Sequence, residues 1–479
     1  MPSQPAHPSR KLNLVIFLPD QQRADTIACY GGSKVHSPNL GKLASESVIF
    51  DRAYVTQPVC SPSRSSLMTG LWPHTTGCTQ NGAEIDDRFR VLPELFDDPD
   101  YRTAYMGKWH LRPKGLLPRA FQTVVSTQGE GDYSEFLVSN GLSPDRREGG
   151  FTELTISNLP VGLSQPKFLE ERACRFIREH TKEPFILIVA FLEPHSPYNG
   201  PLNDEHSLGD IDLDTTASVP PGNDTPLRYR LIQEWQQEQA MADSTIRDFY
   251  FGITSEDYCQ LKQKYLGLIT LVDQSIGAIL ACLETAGLND HTIVVHTSDH
   301  GDMLGAHQLF GKEVMFEEAV RVPYLIRLPR RRPERFSRPV SHIDFVPTLL
   351  DLLNQPKPQQ CAGKSLAPLI RGEEMPDKSV FIEWSPNWRA KIKSGTLLGS
   401  HRLVKRAVAE STRTVLTSDG WKLSLRDKDL NELYNLNEDP TEVRNLFYDD
   451  RYGSVISRCA GEIRGWQELT RDKCKLPKT

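Results

Sequence analysis

Cysteine is sparse and unpaired in this chain: nine in 479 residues, with no C-x-x-C pair. An odd, scattered set of that kind indicates neither a disulfide framework nor a zinc ribbon, so most of the thiols read as buried and reduced. An excess of positive charge is also missing. The 56 Lys and Arg against 62 Asp and Glu leave a net charge of −6, which gives no footprint for nucleic acid, and no nucleic-acid partner is expected. The densest basic cluster, Arg330-Arg331-Arg332 with Arg335 and Arg338, reads as a solvated loop rather than a phosphate site. No run approaches the roughly 18 consecutive apolar residues that a membrane span needs. The first ten residues (MPSQPAHPSR) are polar and contain no apolar segment of the kind found in a secretory signal. Taken as the native start, they argue for a cytoplasmic protein, with a secreted or periplasmic one as the alternative if a signal was removed. Repeats and low-complexity tracts are absent as well. What is left is the composition of an ordinary soluble enzyme, long enough for two or three domains and a sizeable core.

In place of long hydrophobic runs the chain has short ones that end in chemistry. Residues 12–18 (LNLVIFL) are continuously apolar, as in a strand buried on both faces of a sheet, and stop at Pro19-Asp20. Residues 101–106 lead into Gly107-Lys108-Trp109-His110, residues 185–192 (FILIVAFL) into Glu193-Pro194-His195, and residues 292–297 (TIVVHT) into Ser298-Asp299-His300. In an α/β sheet, ligands bind in the crevice outside the carboxyl ends of the strands. Polar groups at four such ends therefore converge even though they are far apart in sequence.

Helical signals lie between the strands. Residues 165–181 read as an amphipathic helix. The strongest helix runs from about 255 to 286, where Leu261, Tyr265, Leu268, Ile269, Val272, Ile276, Ile279, Leu280 and Leu283 keep the three–four spacing of one buried stripe. Thr254 and Asp257 offer a capping-box start, and Gly287 suits the stop. Residues 199–254 are rich in polar, Pro and Gly residues, with a helical patch near 228–242, and read as a lid or substrate rim. The texture changes near residue 375. Residues 379–384, 413–417 and 421–425 read as short strands, the last two joined by the turn Ser418-Asp419-Gly420, and a helix follows near 450–470. The fold class is α/β: a catalytic domain over 11–375 with a mostly parallel mixed sheet between helices, then a smaller α+β domain over 376–479 with an antiparallel sheet.

The densest chemistry lies at Cys60-Ser61-Pro62-Ser63-Arg64, followed by Ser65-Ser66-Leu67-Met68-Thr69-Gly70. A helix beginning near Ser63 would put Cys60 beside helix-terminal amides, which lower a thiol pKa or bind an anion, with Arg64 one turn in. On those grounds alone a nucleophilic cysteine and a buried structural thiol are both open readings. Asp20, Asp299 and His300 supply two carboxylates and an imidazole at strand ends, and Gln21 an amide oxygen. Oxygen-rich sets favour hard cations such as calcium or magnesium, and the imidazole makes manganese acceptable. Lys108, His110, His195 and Lys312 add positive or proton-donating groups, together describing a pocket for a tetrahedral oxyanion and its leaving group.

These motifs together resemble the type I sulfatases of the alkaline phosphatase superfamily, over nearly the whole chain. The resemblance is carried by the Cys-x-Pro-x-Arg element at Cys60, Asp20-Gln21-Gln22-Arg23, Gly107-Lys108-Trp109-His110-Leu111 and Pro194-His195-Ser196-Pro197-Tyr198. Further along it includes Thr297-Ser298-Asp299-His300-Gly301-Asp302 with Gly305-Ala306-His307, then Gly311-Lys312 with Glu318-Ala319-Val320-Arg321-Val322-Pro323. It ends at Glu432-Leu433-Tyr434-Asn435-Leu436 with Asp439-Pro440, Glu442, Asn445 and Leu446.

The resemblance implies that a separate partner, the formylglycine-generating enzyme, oxidises Cys60 to formylglycine, whose hydrated aldehyde is the nucleophile. It implies one divalent cation, calcium foremost, with manganese or magnesium as rivals, held by Asp20, Gln21, the modified Cys60, Asp299 and His300. Arg64 and Lys108 then activate the diol, Lys312 neutralises sulfate oxygens, His195 serves the leaving oxygen and His110 takes the proton that lets sulfate depart. Asn81 sits where one branch of the family places a substrate-facing polar residue, and Lys108, His195 and Lys312 also bind substrate. The pairs Asp20-Gln21 and Asp299-His300, in place of Asp-Asp and Asp-Asn, resemble the branch of choline sulfatases, bacterial arylsulfatases and phosphonate monoester hydrolases. Lys108 and His110 favour a sulfate ester over the rival reading, a phosphonate monoester or phosphodiester hydrolase on the same scaffold. The substrate is a small-molecule or carbohydrate sulfate ester, with sugar, aryl and alkyl types all open. Its rim is expected from 199–254 and from Trp384, Trp388, Arg389, Lys391, Lys393, His401 and Arg402. Relatives are often dimers or tetramers, so a homo-oligomer is expected on the same ground.

Overall fold

The computed structural model describes residues 10–477 apart from 33, 97, 148 and 387–395. Among the described residues, thirteen strands form two sheets. The larger contains β1 (Asn13–Phe17), β2 (Val48–Tyr54), β3 (Arg102–Gly107), β4 (Thr123–Ser126), β5 (Phe185–Ala190), β6 (Thr292–Thr297), β7 (Arg321–Val322), β8 (Tyr324–Arg327) and β9 (Glu334–Ser341). Its order is β4-β3-β5-β1-β6-β8-β2-β7, with β9 beside β2. The five strands from β4 to β6 are all parallel, and β8 turns antiparallel against β6. The α/β fold with a mostly parallel mixed sheet thus stands as expected.

The continuous apolar runs are explained by burial on both sides. Leu14 and Ile16 of β1 face one core with Ile186, Ile188, Ile293 and Val295, while Val15 and Phe17 face the other with Leu187, Val189 and Val294. The helix Ser255–Thr285, its capping box closed between Thr254 and Asp257, covers the second face with Val272, Ile276, Ile279 and Leu283. The helix Gln165–Glu179 packs there too. By length and composition alone Ser255–Thr285 would suffice to cross a bilayer, but 67% of that apolar window is buried inside the protein, as befits a core helix. On the first face lie the helices Cys60–Thr69 and Phe345–Leu352. Every residue of Cys60–Thr69 is buried.

The second sheet is antiparallel: β10 (Val380–Trp384), β11 (Thr412–Leu416), β12 (Trp421–Arg426) and β13 (Glu432–Asn435), in that order. The helix Gly453–Thr470 covers it through Ile456, Cys459, Ala460 and Ile463. It meets the larger sheet's side where Trp466 sets its edge on Trp72 at 5.0 Å.

Close by, the His74 ring lies 2.5 Å from the Glu383 carboxylate. Burial opposes the charge on His74, but Glu383, Asp472 and the Thr470 carbonyl outweigh it and raise the imidazole above its usual value of 6.5. A raised folded-state value stabilises the fold fully below 6.5 and loses that increment as pH climbs through the folded value. The wild-type urea midpoint is therefore expected to fall on going from pH 6 to pH 8 by more than that of His74→Gln, which lacks the titrating ring.

Candidate active site

Strands β3, β5, β1 and β6 are immediate neighbours and all parallel, so their carboxyl ends open on one edge. That edge carries Lys108 and His110 after β3, His195 after β5, Asp20 and Gln21 after β1, and Asp299 and His300 after β6. The helix Cys60–Thr69 aims its first residue at the same point. Cys60 is 1% exposed. Its Sγ lies 3.1 Å from His300 Nε2, 3.8 Å from Asp20 Oδ1 and 4.0 Å from Lys108 Nζ.

Asp20, Cys60, Asp299 and His300 each offer a ligand atom within 4.8 Å of the others. His300 directs Nδ1 to the Gly301 carbonyl at 2.9 Å, leaving Nε2 for the centre of the group. Two carboxylates, an imidazole nitrogen and the Cys60 position form a donor set that fits one divalent cation.

The surrounding charges are arranged around those carboxylates. Arg64 donates through Nε to Asp299 at 2.8 Å, through Nη2 to Asp20 at 3.0 Å and through Nη1 to the Lys108 carbonyl at 2.7 Å. Lys108 Nζ meets Asp20 at 2.7 Å. Burial would raise the Asp20 pKa, but Lys108, His195, Arg64 and His300 hold it well below the usual carboxylate range. Burial and Asp20 likewise disfavour a Cys60 thiolate, and Lys108, Lys312 and His300 outweigh them, bringing the thiol well below its ordinary value. His195 is pushed down by burial, then by Lys312 and Lys108. Its Nδ1 donates to the Ser196 carbonyl at 2.6 Å.

Three residues take partners that sequence alone did not indicate. The Gln21 amide is held between Asp302 and Tyr198, and its Oε1 accepts from Lys312. Asn81 accepts from the Ser61 amide at 3.0 Å, next to Cys60, and lines neither of the two cavities at the site. Arg64 faces Asp20 and Asp299 rather than open space. Gln21 and His110 both have positive φ, 67° and 57°, a conformation uncommon outside glycine and concentrated at functional sites.

Two cavities meet at His195. One, of about 460 Å³, runs past Gln21, Tyr198 and Lys312 between apolar walls that include Leu231, Ile232, Trp235, Phe251, Phe310 and Trp384. The irregular insertion supplies much of that wall through the helix Leu227–Ala242. Arg228 on this helix pairs with Glu410 at 2.8 Å and stacks on Trp384 at 4.2 Å. The other cavity, of about 280 Å³, lies on the Lys108 and His110 side. Of the expected rim, Trp384 lines the first cavity and His401 and Arg402 are exposed, while Trp388, Arg389, Lys391 and Lys393 lie outside the described residues. Trp235 and Phe251 were not anticipated individually, and no periodic signal marks them.

A buried cysteine, paired carboxylates and converging cations at the open edge of a parallel sheet suit a hydrolase site that receives an anion. The chain belongs to the sulfatase family, whose model matches residues 12–355. The model of the N-sulphoglucosamine sulphohydrolase C-terminal region matches residues 305–468. An uncharacterized sulfatase, YidJ, of Escherichia coli is 27% identical, covering 97% of this chain and 88% of its own. An N-acetylglucosamine-6-O-sulfatase of Bacteroides thetaiotaomicron is 26% identical, covering 93% and 84%. Among solved structures, a phosphonate monoester hydrolase from Silicibacter pomeroyi superposes with a TM-score of 0.81 at 22% identity, over 97% of this chain and 96% of that one. At that identity the likeness speaks for the fold. The expected kinship with choline sulfatases and arylsulfatases holds, and with phosphonate monoester hydrolases the chain shares the fold.

Proposed function

We propose that the protein hydrolyses a sulfate monoester to an alcohol and inorganic sulfate, using a formylglycine gem-diol made from Cys60. The observation that carries this reading is the placement of Cys60 Sγ within 4.0 Å of His300, Asp20 and Lys108, at the head of a buried helix. The names of relatives that act on sulfated sugars support it. Asp20, Gln21, Asp299, His300 and residue 60 would hold a divalent cation, calcium first and manganese or magnesium as alternatives. When bound it supplies charge that offsets the anionic oxygens of the ester.

The chain's own groups do the rest. Lys108 and Lys312 flank the ester's sulfate oxygens. Arg64 fixes Asp20 and Asp299. One diol hydroxyl passes its proton to the Asp299 carboxylate, within 4.8 Å of residue 60, as its oxygen attacks sulfur; the ester S–O bond breaks, and His195 gives a proton to the departing alcohol oxygen. Burial, and then Lys312 and Lys108, lower the proton affinity of His195 in the free protein; an arriving anion offsets the two lysines and so favours the proton this step needs. His110 then takes the proton of the second hydroxyl. The aldehyde reforms as the C–O bond to sulfate breaks. The covalent route divides one hard displacement into two easier steps.

Mass spectrometry of the peptide covering residues 53–64, paired with sulfate-release assays, tests the reading. The expected result is a peptide lighter by the difference between thiol and hydrated-free aldehyde, in protein that liberates sulfate. An unchanged thiol mass in fully active protein would refute the nucleophile. A preference of many orders in kcat/KM for a matched phosphonate monoester would refute the sulfate ester and leave the phosphonate reading in its place.

A further inference from the structure

We propose that the smaller cavity is the subsite for the ring bearing the sulfate, and that this ring is a sugar whose hydroxyls pair with Thr127, Gln165 and Glu193. The inference rests on the sulfate-ester reading and names the alcohol that reading leaves open. The cavity joins the reaction centre directly, because Lys108, His110 and His195 form part of its wall. Its volume of about 280 Å³ is close to the lower bound of small-ligand pockets, about 300 Å³, and suits one ring rather than a chain.

The walls are polar from several independent elements. Thr127 and Gln128 follow β4, Gln165 opens its helix, Glu193 follows β5, Ser157 ends the helix Glu153–Ser157 and Asn199 comes from a loop. Four buried atoms on these walls have no partner among the described residues: Thr127 Oγ1, Gln165 Oε1, Glu193 Oε2 and His110 Nδ1. Thr127 is 8% and Gln165 2% exposed, so neither is an ordinary surface group. Buried polar atoms are almost always paired in native proteins, and a cluster of exceptions around one cavity marks what the cavity is built to receive. A sugar hydroxyl both donates and accepts, which suits an amide oxygen, a hydroxyl and a carboxyl together. Burial pushes the Glu193 carboxyl up to about 7, so near neutrality a good share of it is protonated, can offer an O–H and repels a sulfate ester less than a full carboxylate would. In the larger cavity the same hydroxyls would meet Leu231, Ile232, Trp235 and Phe251, and the polar groups there, Gln21, Tyr198, Arg228, Gln236 and Lys312 among them, already bond within the protein.

The test compares kcat/KM for the four positional monosulfates of methyl glucoside with that for cyclohexyl and cyclohexylmethyl sulfate, which keep the ring and lose the hydroxyls. The best sugar ester is expected to exceed its carbocyclic counterpart about 100-fold or more, as sites built to bind hydroxyls discriminate against analogues lacking them. Thr127→Val, nearly isosteric, and Gln165→Leu are each expected to shrink that ratio about tenfold. The ratio is internal to each variant, so a general loss of folded protein does not imitate the effect. Equal hydrolysis of sugar and carbocycle would overturn the inference and keep the sulfatase reading. A large ratio that neither substitution moves would also overturn it, since the ring would then be read elsewhere. Aldehyde-bearing protein that releases sulfate from no ester would bring down both.

Discussion

Cys60→Ala is expected to lower kcat/KM for sulfate esters by about 10⁴-fold or more, the scale of loss when a covalent nucleophile is removed. The substitution trims one atom from a helix whose ten residues are all buried, and Asp20, Asp299, His300 and Arg64 keep their mutual contacts. Melting temperature is expected to change little, so the activity loss reports chemistry. Cys60→Ser sharpens the result. A serine hydroxyl can accept the sulfuryl group once, but its carbon carries no second hydroxyl whose deprotonation expels sulfate. One equivalent of alcohol per protein followed by a stall, with a sulfate adduct on the peptide containing residue 60, is the expected outcome. Full turnover by either variant, measured as continued sulfate release, would remove Cys60 from the reaction.

Arg64→Met is expected to cost about 3–5 kcal/mol of stability when measured with a metal chelator present, the range for breaking a buried ion pair from one side. Arg64 is 1% exposed and lies between Asp20 and Asp299 at 3.0 and 2.8 Å. Without the guanidinium, two buried carboxylates share a smaller set of cations. A divalent ion restores part of the lost charge, so the deficit in urea unfolding should shrink when calcium or manganese is supplied. Arg64→Lys should recover little, because a single ammonium cannot fork onto both carboxylates and the Lys108 carbonyl. A loss under about 1 kcal/mol in chelator would place the pair among the weakly contributing ones.

The parts of the fold that sequence made legible are those whose environment is uniform. Residues 12–18, 185–192 and 292–297 are buried on both faces of a parallel sheet, and a two-sided core imposes an unbroken apolar run. Strand β2 was not legible, since VIFDRAY mixes charge into a strand whose middle is only half-buried. The two-residue β7 is too short to carry a pattern. β13 was noticed as a motif, Glu432-Leu433-Tyr434-Asn435, and not as a strand. At the site, convergence followed from strand ends, and Asp20, Lys108, His195, Asp299 and His300 do meet. The partners of Gln21 and Asn81 did not follow, because each is fixed by neighbours far away in the chain, Lys312 and Asp302 for one and Ser61 for the other. Unpaired atoms such as Gln165 Oε1 leave no trace in a local pattern at all.

The depth of Cys60 has a consequence in time rather than in space. Its sulfur lies 1% exposed, at the head of a helix packed under strand ends and against Phe345–Leu352. If residue 60 is converted to formylglycine as proposed, the enzyme that does so has to reach it while the segment around it is still extended. On that reading, a molecule that folds first keeps its thiol in a site that admits a small ester and not a second protein. Under the proposed function, the active fraction of a preparation would then record a race between maturation and folding, run once per chain.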